Sequence, residues 1–161
     1  MVSLVFIAPV VAALALAALW RRSPGGWGVR IAPFTSRPLM TDNELEFFGR
    51  LRKALPEYTI FSQVAMSGIL DVKLREGEPG YWHARSKFDR KRMDYVVCTR
   101  GGERVIAVVE LDDRSHDGKR GEDAKRDAML AKVGIRTVRF PSSPRPDGRQ
   151  IRDQVLGRHA A

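Results

Sequence analysis

Val105 to His116 reads VIAVVELDDRSH, and the fold is best worked out from this stretch. Five apolar residues, mostly β-branched, predict a strand that is buried on both faces. The strand ends in Glu110, Asp112 and Asp113, and because side chains alternate along a strand, Glu110 and Asp112 share a face. Two adjacent carboxylates repel each other, which favours a cation between them. The other interpretation is that the strand has reached solvent and the acids are its hydrated end.

A further acid comes from the preceding strand, which is predicted over residues 92–99. Asp94 interrupts its apolar run near the start, and a buried acid needs a partner or a metal. The two glycines at 101–102 predict a tight turn, which pairs this strand antiparallel with the next one. We therefore expect three carboxylates to converge at one end of the sheet: Asp94, Glu110 and Asp112.

The composition is that of one basic globular domain with a core. The chain has 161 residues, 43% of them hydrophobic and 29% charged, and its formal net charge is +9 with a pI near 10.3. Such a charge suits a polyanion or an anionic membrane surface, or it serves solubility alone. The single cysteine, Cys98, excludes an intramolecular disulfide and a cysteine cluster for zinc, which fits a reducing compartment.

The N-terminal segment differs in character. Residues 2–20 carry no charge and are long enough to cross a bilayer as a helix, and two arginines follow directly. We expect residues 1–22 to be an uncleaved single-pass anchor in the inner membrane, with the following domain in the cytoplasm. A cleaved signal peptide and a buried helix are the alternatives. Glycine and proline make residues 23–38 a linker, and residues 39–161 are the domain.

A capping box predicts the first helix of the domain, with Thr41 at the N-cap and Glu44 at the third helical position. We expect the helix to run to about Ala54 and to end before Pro56. Its predicted core-facing residues are Leu45, Phe48, Leu51 and Leu55. Glu44 lies at the edge of that face, and helix capping alone accounts for it.

Aromatic and basic side chains follow the first predicted strand, which spans residues 58–66. Residues 77–86 are expected to form a loop that contains Tyr81 and Trp82. Aromatics beside cations either stack on nucleic-acid bases or cover the edge of the core. Two basic segments are assigned to phosphate contacts: Lys87, Arg90, Lys91 and Arg92, and Lys119, Arg120, Lys125 and Arg126.

A helix and a strand complete the domain. The helix is predicted over residues 123–133 and stops at Gly134, with a strand over residues 135–140 and a short terminal helix over residues 150–156. The residues predicted to pack inward from the helix at residues 123–133 are Ala124, Ala128, Leu130 and Ala131. Because a strand–helix–strand crossover is right-handed, the last strand should lie parallel to the acidic strand. The predicted fold class is α/β, an αβββαβ core with a central mixed sheet, preceded by the transmembrane helix.

Several short motifs stand out along the domain: TDNE at 41–44, FSQV at 61–64, MDYV at 93–96, VELDD at 109–113, SH at 115–116, RD at 126–127, Leu130 and Gly134. The order of elements, with acids on the second and third strands, resembles the PD-(D/E)XK, or restriction-endonuclease-like, fold. The motifs resemble those of the bacterial domain-of-unknown-function family 2726 (DUF2726) and, more distantly, are similar to those of the very-short-patch-repair endonucleases.

The resemblance implies roles for individual residues. Asp94 matches the metal-binding aspartate of the nuclease motif, and Glu110 matches its second acid. Asp112 stands where the motif usually has a lysine, and His116 would act nearby as general acid or base. Glu44 would be the acid that the first helix places near the metal. The residues that would supply the missing cation are Lys119 and Lys125.

The expected function is metal-assisted hydrolysis of nucleic-acid phosphodiester bonds. One or two Mg²⁺ (or Mn²⁺) ions held by Asp94, Glu110 and Asp112 would lower the pKa of a bound water. A second hypothesis is a catalytically inactive module that binds nucleic acid or protein at the inner membrane, which the missing lysine and the anchor favour. A third is a membrane-surface protein whose positive charge meets anionic lipid.

Overall fold

The computed structural model describes residues 34–112 and 120–157, and of Arg120 it describes the backbone alone. Contacts divide the chain after Arg37, and the unit that begins at Pro38 contains every element named here. Its helices and strands, in chain order, are α1 (Asp42–Ala54), β1 (Thr59–Ala65), α2 (Tyr81–Arg85), β2 (Arg92–Cys98), β3 (Val105–Asp112), α3 (Arg120–Lys132), β4 (Arg136–Pro141) and α4 (Gly148–Leu156). A single 3₁₀ turn, Met66–Gly68, follows β1.

The predicted anchor at residues 1–22 lies outside the described residues, as does most of the linker. Within residues 34–112 and 120–157, no helix is both long and apolar enough to cross a bilayer.

The four described strands form one mixed sheet in the order β1-β2-β3-β4. β2 runs antiparallel to β1 and to β3, whereas β4 runs parallel to β3. These pairings confirm the predicted mixed sheet, the hairpin at residues 101–102 and the crossover through α3. Gly102 has a φ of +85°, a conformation that glycine adopts without the steric penalty of a side chain.

Both faces of the sheet are covered by apolar side chains. α1 and α4 cover one face, and the buried residues there are Phe47, Leu51, Leu55, Tyr95, Val97, Ala107, Val109, Phe140, Ile151 and Val155. α3 and the segment between β1 and β2 cover the other, where the buried residues are Met66, Leu70, Phe88, Met93, Val96, Cys98, Val108 and Leu130. The central strands β2 and β3 are thus buried on both sides, which agrees with their β-branched sequences.

The core-facing side of α1 differs from the prediction. Leu45 is 55% exposed, whereas Phe47 is fully buried with its ring centroid 5.7 Å from that of Tyr95. Phe48 stacks on the same tyrosine from a partly buried position. The predicted burial of Leu51 and Leu55 is confirmed. Since aromatic rings bury more area than leucine, packing two of them against the sheet outweighs burying Leu45.

α3 turns a mixed side towards the sheet, charged in its first half and apolar only at Met129 and Leu130, whereas an apolar side was predicted. It begins at Arg120, three residues before the predicted start. The alanines predicted to pack inward are exposed: Ala124, Ala128 and Ala131. Leu130 is fully buried as predicted. The other residues nearer the sheet are partly buried and include Asp123, Arg126 and Asp127. An alanine buries little apolar area, so charged partners on the sheet decide the orientation of this helix.

α2 lies where a loop was predicted. The helix is five residues long, and within it Tyr81 is buried while Trp82 is 61% exposed. Tyr81 therefore covers the core, which was one of the two proposed roles, whereas Trp82 does not.

Candidate active site

Two acids meet at the open end of the β2–β3 hairpin. The strands are antiparallel and Tyr95 pairs with Val109, so Asp94 and Glu110 lie side by side one step further on. The backbone N–H of Leu111 donates to Asp94 Oδ2 at 2.9 Å and orients this carboxylate. The predicted approach of the two acids is therefore present in the fold.

Glu110 is buried with one oxygen unsatisfied. Among the residues that the structure describes, Glu110 is the only buried polar or charged one, at 9% exposure. Its Oε1 has no hydrogen-bond partner there. Its Oε2 lies 3.5 Å from Nη2 of Arg126, which is longer than the ~2.7–2.9 Å of a charge-assisted hydrogen bond. The guanidinium therefore reduces the repulsion between the acids without satisfying the Glu110 carboxylate.

Arg126 reaches this position from α3. Its side chain is 13% exposed, and Nη2 also lies 3.5 Å from Asp123 Oδ1. Its Nε is buried without a hydrogen-bond partner among the described residues. Arg126 was predicted as one of several phosphate contacts, and the structure places it against the acids.

A second arginine comes from β4. In the parallel register Glu110 pairs with Arg139, whose guanidinium binds both oxygens of Asp127, at 2.6 and 3.0 Å. Bidentate pairs of this kind are among the stronger polar contacts and fix the geometry of both partners. Sequence reasoning missed the pairing of Arg139 with Asp127, because it depends on how α3 packs against β4. The available signal was a charged Arg139 between Val138 and Phe140 on a predicted strand.

Burial changes the acidity of both carboxyls. It raises the pKa of Glu110 to about 8, with the charge of Asp94 adding to this effect and the charges of Arg126 and Arg139 opposing it. Burial likewise raises the pKa of Asp94, against the hydrogen bond from Leu111 N–H. The pair thus binds a proton more tightly than free carboxylates do, which is expected where two acids share a poorly hydrated site.

Glu44 closes one side of the site. The predicted capping box is confirmed, because Glu44 N–H donates to Thr41 Oγ1 at 3.3 Å and Thr41 N–H donates to Glu44 Oε2 at 2.6 Å. Gln63 Nε2 donates to Glu44 Oε1 at 3.2 Å, and the Tyr95 hydroxyl donates to the Glu44 carbonyl at 2.6 Å. Both carboxylate oxygens of Glu44 therefore already accept hydrogen bonds. The backbone of Gln63 has a φ of +54°, which is unusual for a residue with a side chain.

A cavity of about 440 Å³ lies at this end of the sheet. The residues that line it are Thr41, Asn43, Glu44, Arg92, Asp94, Glu110, Leu111, Asp112, Asp123, Arg126 and Arg139. Two larger cavities, of about 740 and 720 Å³, lie along α1 and β1 and have neither Asp94 nor Glu110 in their walls. The two candidate acids, Asp94 and Glu110, therefore line the smaller cavity.

The three predicted metal ligands all line this cavity, although Asp112 is exposed. Within the described ranges, no three acidic, histidine or cysteine side chains are close enough together to hold one metal ion. Mg²⁺ commonly uses one or two carboxylates and takes its other ligands from water and substrate phosphate. Asp94 and Glu110 fit that smaller donor set, since a cation would satisfy the free Oε1 of Glu110.

The remaining predicted site residues are dispersed. His116 and Lys119 lie outside the described residues, as does the side chain of Arg120. The exposed predicted cations are Lys87, Arg90, Arg92 and Lys125. Lys91 is partly buried, with its Nζ 3.8 Å from Glu122 on α3.

Comparison with known proteins identifies one related family. A family model described as "Protein of unknown function (DUF2726)" matches residues 36–158. The resemblance expected from the sequence motifs is confirmed by this match. No curated protein and no solved structure matches the chain.

Proposed function

Because the chain belongs to the DUF2726 family, whose function is unknown, we propose an activity from the acidic cavity itself: metal-dependent hydrolysis of nucleic-acid phosphodiester bonds. One observation carries the proposal. Glu110 Oε1 and Arg126 Nε are both buried without a hydrogen-bond partner among the described residues, and both residues line the same cavity.

The two unsatisfied atoms have opposite requirements. A buried carboxylate oxygen is stabilised by a cation, and a buried guanidinium N–H is stabilised by an anion. A phosphodiester bound through a divalent cation supplies both charges at once. Burying unsatisfied groups costs free energy, so their presence together in one cavity favours a ligand site over a purely structural ion pair.

Acidic residues of the cavity would bind the cation, and its arginines would bind the phosphate. Asp94 and Glu110 would hold the metal ion, with Asp94 oriented by its hydrogen bond from Leu111. When bound, Mg²⁺ or Mn²⁺ supplies a water of lowered pKa and stabilises charge on the phosphate. Arg126, and Arg92 at the cavity wall, would contact phosphate oxygens. The resemblance to PD-(D/E)XK nucleases supports these roles for the two acids.

The test is a cleavage assay on supercoiled DNA, single-stranded DNA and RNA, with Mg²⁺ or Mn²⁺ and with EDTA. Asp94→Asn and Glu110→Gln keep the shape of each side chain and remove its charge. We expect each to lower the cleavage rate by ~10²-fold or more, because metal ligands act together in catalysis. Glu103→Gln is the matched control, since Glu103 is an exposed acid at the turn end of the same hairpin.

Binding of the metal is measured separately. Titration of Mn²⁺ followed by electron paramagnetic resonance should show one or two bound ions in the native protein and in Glu103→Gln. Glu110→Gln should bind Mn²⁺ at least ~10-fold more weakly. Unchanged cleavage or unchanged Mn²⁺ binding in both site variants would contradict the proposal.

A second candidate is a nucleic-acid-binding module without catalysis. The contact between Arg126 and Glu110 favours it, because a cation already lies beside the carboxylate that would hold the metal. This candidate predicts salt-sensitive binding that EDTA does not alter, with no bound Mn²⁺. The Mn²⁺ titration therefore separates the two candidates.

A further inference from the structure

An exposed tryptophan is supported rigidly on α2. The ring of Trp82, which is 61% exposed, lies nearly perpendicular to the buried ring of Tyr81, with the centroids 5.0 Å apart. The Tyr81 hydroxyl accepts a hydrogen bond from Arg85, whose guanidinium also contacts Asp71 and Asp89. The core-facing tyrosine thus supports an indole that keeps most of its surface in solvent. Such a position leaves a flat apolar face in solvent, on which a nucleic-acid base can stack.

Positive charge follows this indole along the chain. Residues 71–92 contain seven lysines and arginines against four aspartates and glutamates. Lys87, Arg90 and Arg92 are all exposed, in the stretch that follows α2. An aromatic platform followed by a line of cations is the arrangement that binds a nucleic-acid strand through a base and its phosphates.

The same stretch leads into the candidate active site. Its backbone is tied to the end of β1, since Met66 N–H donates to the Lys91 carbonyl at 2.8 Å. Arg92 then begins β2 and lines the acidic cavity, two residues before Asp94. A strand of nucleic acid that follows these cations would run from Trp82 to the cavity.

We propose that Trp82 is a base-stacking subsite and that the substrate class is single-stranded nucleic acid, an inference that rests on the proposed function. In a duplex both faces of each base are already stacked on neighbouring bases. A protein ring therefore stacks on a base that is unpaired, and this makes the subsite selective for single strands.

The experiment measures binding by the full chain in EDTA, so that no cleavage occurs. The probes are a fluorescent oligothymidylate and a fluorescent duplex of the same length, followed by anisotropy. We expect Trp82→Ala to weaken oligothymidylate binding roughly 5- to 150-fold, the range for loss of one base–aromatic stack, and to leave duplex binding almost unchanged. Trp82→Phe should retain most of the affinity. Phe61→Ala is the matched control, because Phe61 is another exposed aromatic, 48% exposed, on β1.

Several outcomes would overturn the subsite: native protein that does not bind oligothymidylate, unchanged affinity in Trp82→Ala, or an equal loss on both probes. These outcomes are distinct from failure of the nuclease proposal. Trp82-dependent binding without any metal-dependent cleavage would leave the subsite in place and reject the catalytic function. If Trp82→Ala still cleaves single strands and binds them with unchanged affinity, the subsite is rejected and the catalytic function stands.

Discussion

Arg126 Nη2 lies 3.5 Å from Glu110 Oε2, and each of these side chains keeps one buried polar atom without a hydrogen-bond partner among the described residues. Such a pair adds little stability by itself, because the desolvation of both charges opposes their attraction. Asp94 lies beside the same carboxylate. The main physical effect of Arg126 in the metal-free protein is therefore to make two neighbouring acids tolerable.

Removing the arginine should expose this effect. Arg126→Gln leaves the buried Glu110 carboxylate and its neighbour Asp94 without this cation, and we expect a loss of ~3 kcal/mol in the free energy of unfolding above about pH 8, where Glu110 is charged, without metal. Mg²⁺ or Mn²⁺ should restore part of that loss, since a bound ion replaces the missing charge. Urea unfolding with and without metal measures both effects. Arg149→Gln is the control, because its side chain is 91% exposed on α4. Failure of metal to stabilise Arg126→Gln would argue against a cation site.

Glu110 should make the stability depend on pH. Its pKa is about 8 in the folded chain against 4.5 ordinarily, so the folded state binds more protons between these values. The stabilising contribution of protonated Glu110 is complete below about pH 4.5 and is lost as the pH rises through about 8. Glu110→Gln stays neutral and should be more stable than the native protein above that range.

The measurement is the urea midpoint of both proteins across this pH range in EDTA. The two curves should converge at low pH and separate as the pH rises. In Glu110→Gln the stability should still fall slightly with rising pH, because burial also raises the pKa of Asp94. Curves that run parallel throughout would show that Glu110 has an ordinary pKa.

Gln63 combines backbone strain with a useful side chain. Its φ of +54° disfavours a residue with a Cβ atom, and its Nε2 donates to Glu44. Gln63→Ala keeps the strain and loses the hydrogen bond, so we expect a destabilisation of ~1 kcal/mol. Gln63→Gly loses the same bond and relieves the strain, and it should be more stable than Gln63→Ala by ~1 kcal/mol. Urea unfolding of the three proteins decides this, and equal stability of the two variants would contradict the argument.

The N-terminal anchor remains a prediction with a direct test. The full chain should sediment with membranes and resist a high-salt wash, because about 20 apolar residues suffice to span a bilayer. Leu14→Arg together with Leu16→Arg places two charges in that run and should release the chain into the soluble fraction. Release of the native chain by salt alone would instead indicate attachment through surface charge.

The features that sequence alone predicts correctly here depend on local physics. The β-branched run at residues 105–109, the glycine turn and the Thr41–Glu44 capping box each involve residues close together in the chain. Together with the antiparallel pairing they were sufficient to bring Asp94 and Glu110 together. Local patterns of this kind need no knowledge of which helix packs where.

The incorrect predictions depend on contacts between distant elements. Three apolar residues near the start of α1 permit more than one buried face, and only contact with Tyr95 selects Phe47 over Leu45. On α3 the alanines suggested an apolar face, whereas acids and cations on β3 and β4 select a partly charged one. The pairing of Arg139 with Asp127 depends likewise on the packing of α3 against β4, which no local pattern encodes.

The hairpin also has a consequence for the order of folding. Its turn closes a short loop, so β2 and β3 pair from the turn outwards, and Asp94 and Glu110 lie at the far end of that ladder. Arg126 and Arg139 are synthesised later, and each reaches the acids only after the crossover has formed. A chain leaving the ribosome therefore lacks the positive charges that offset the repulsion within its acidic pair until α3 and β4 have been synthesised.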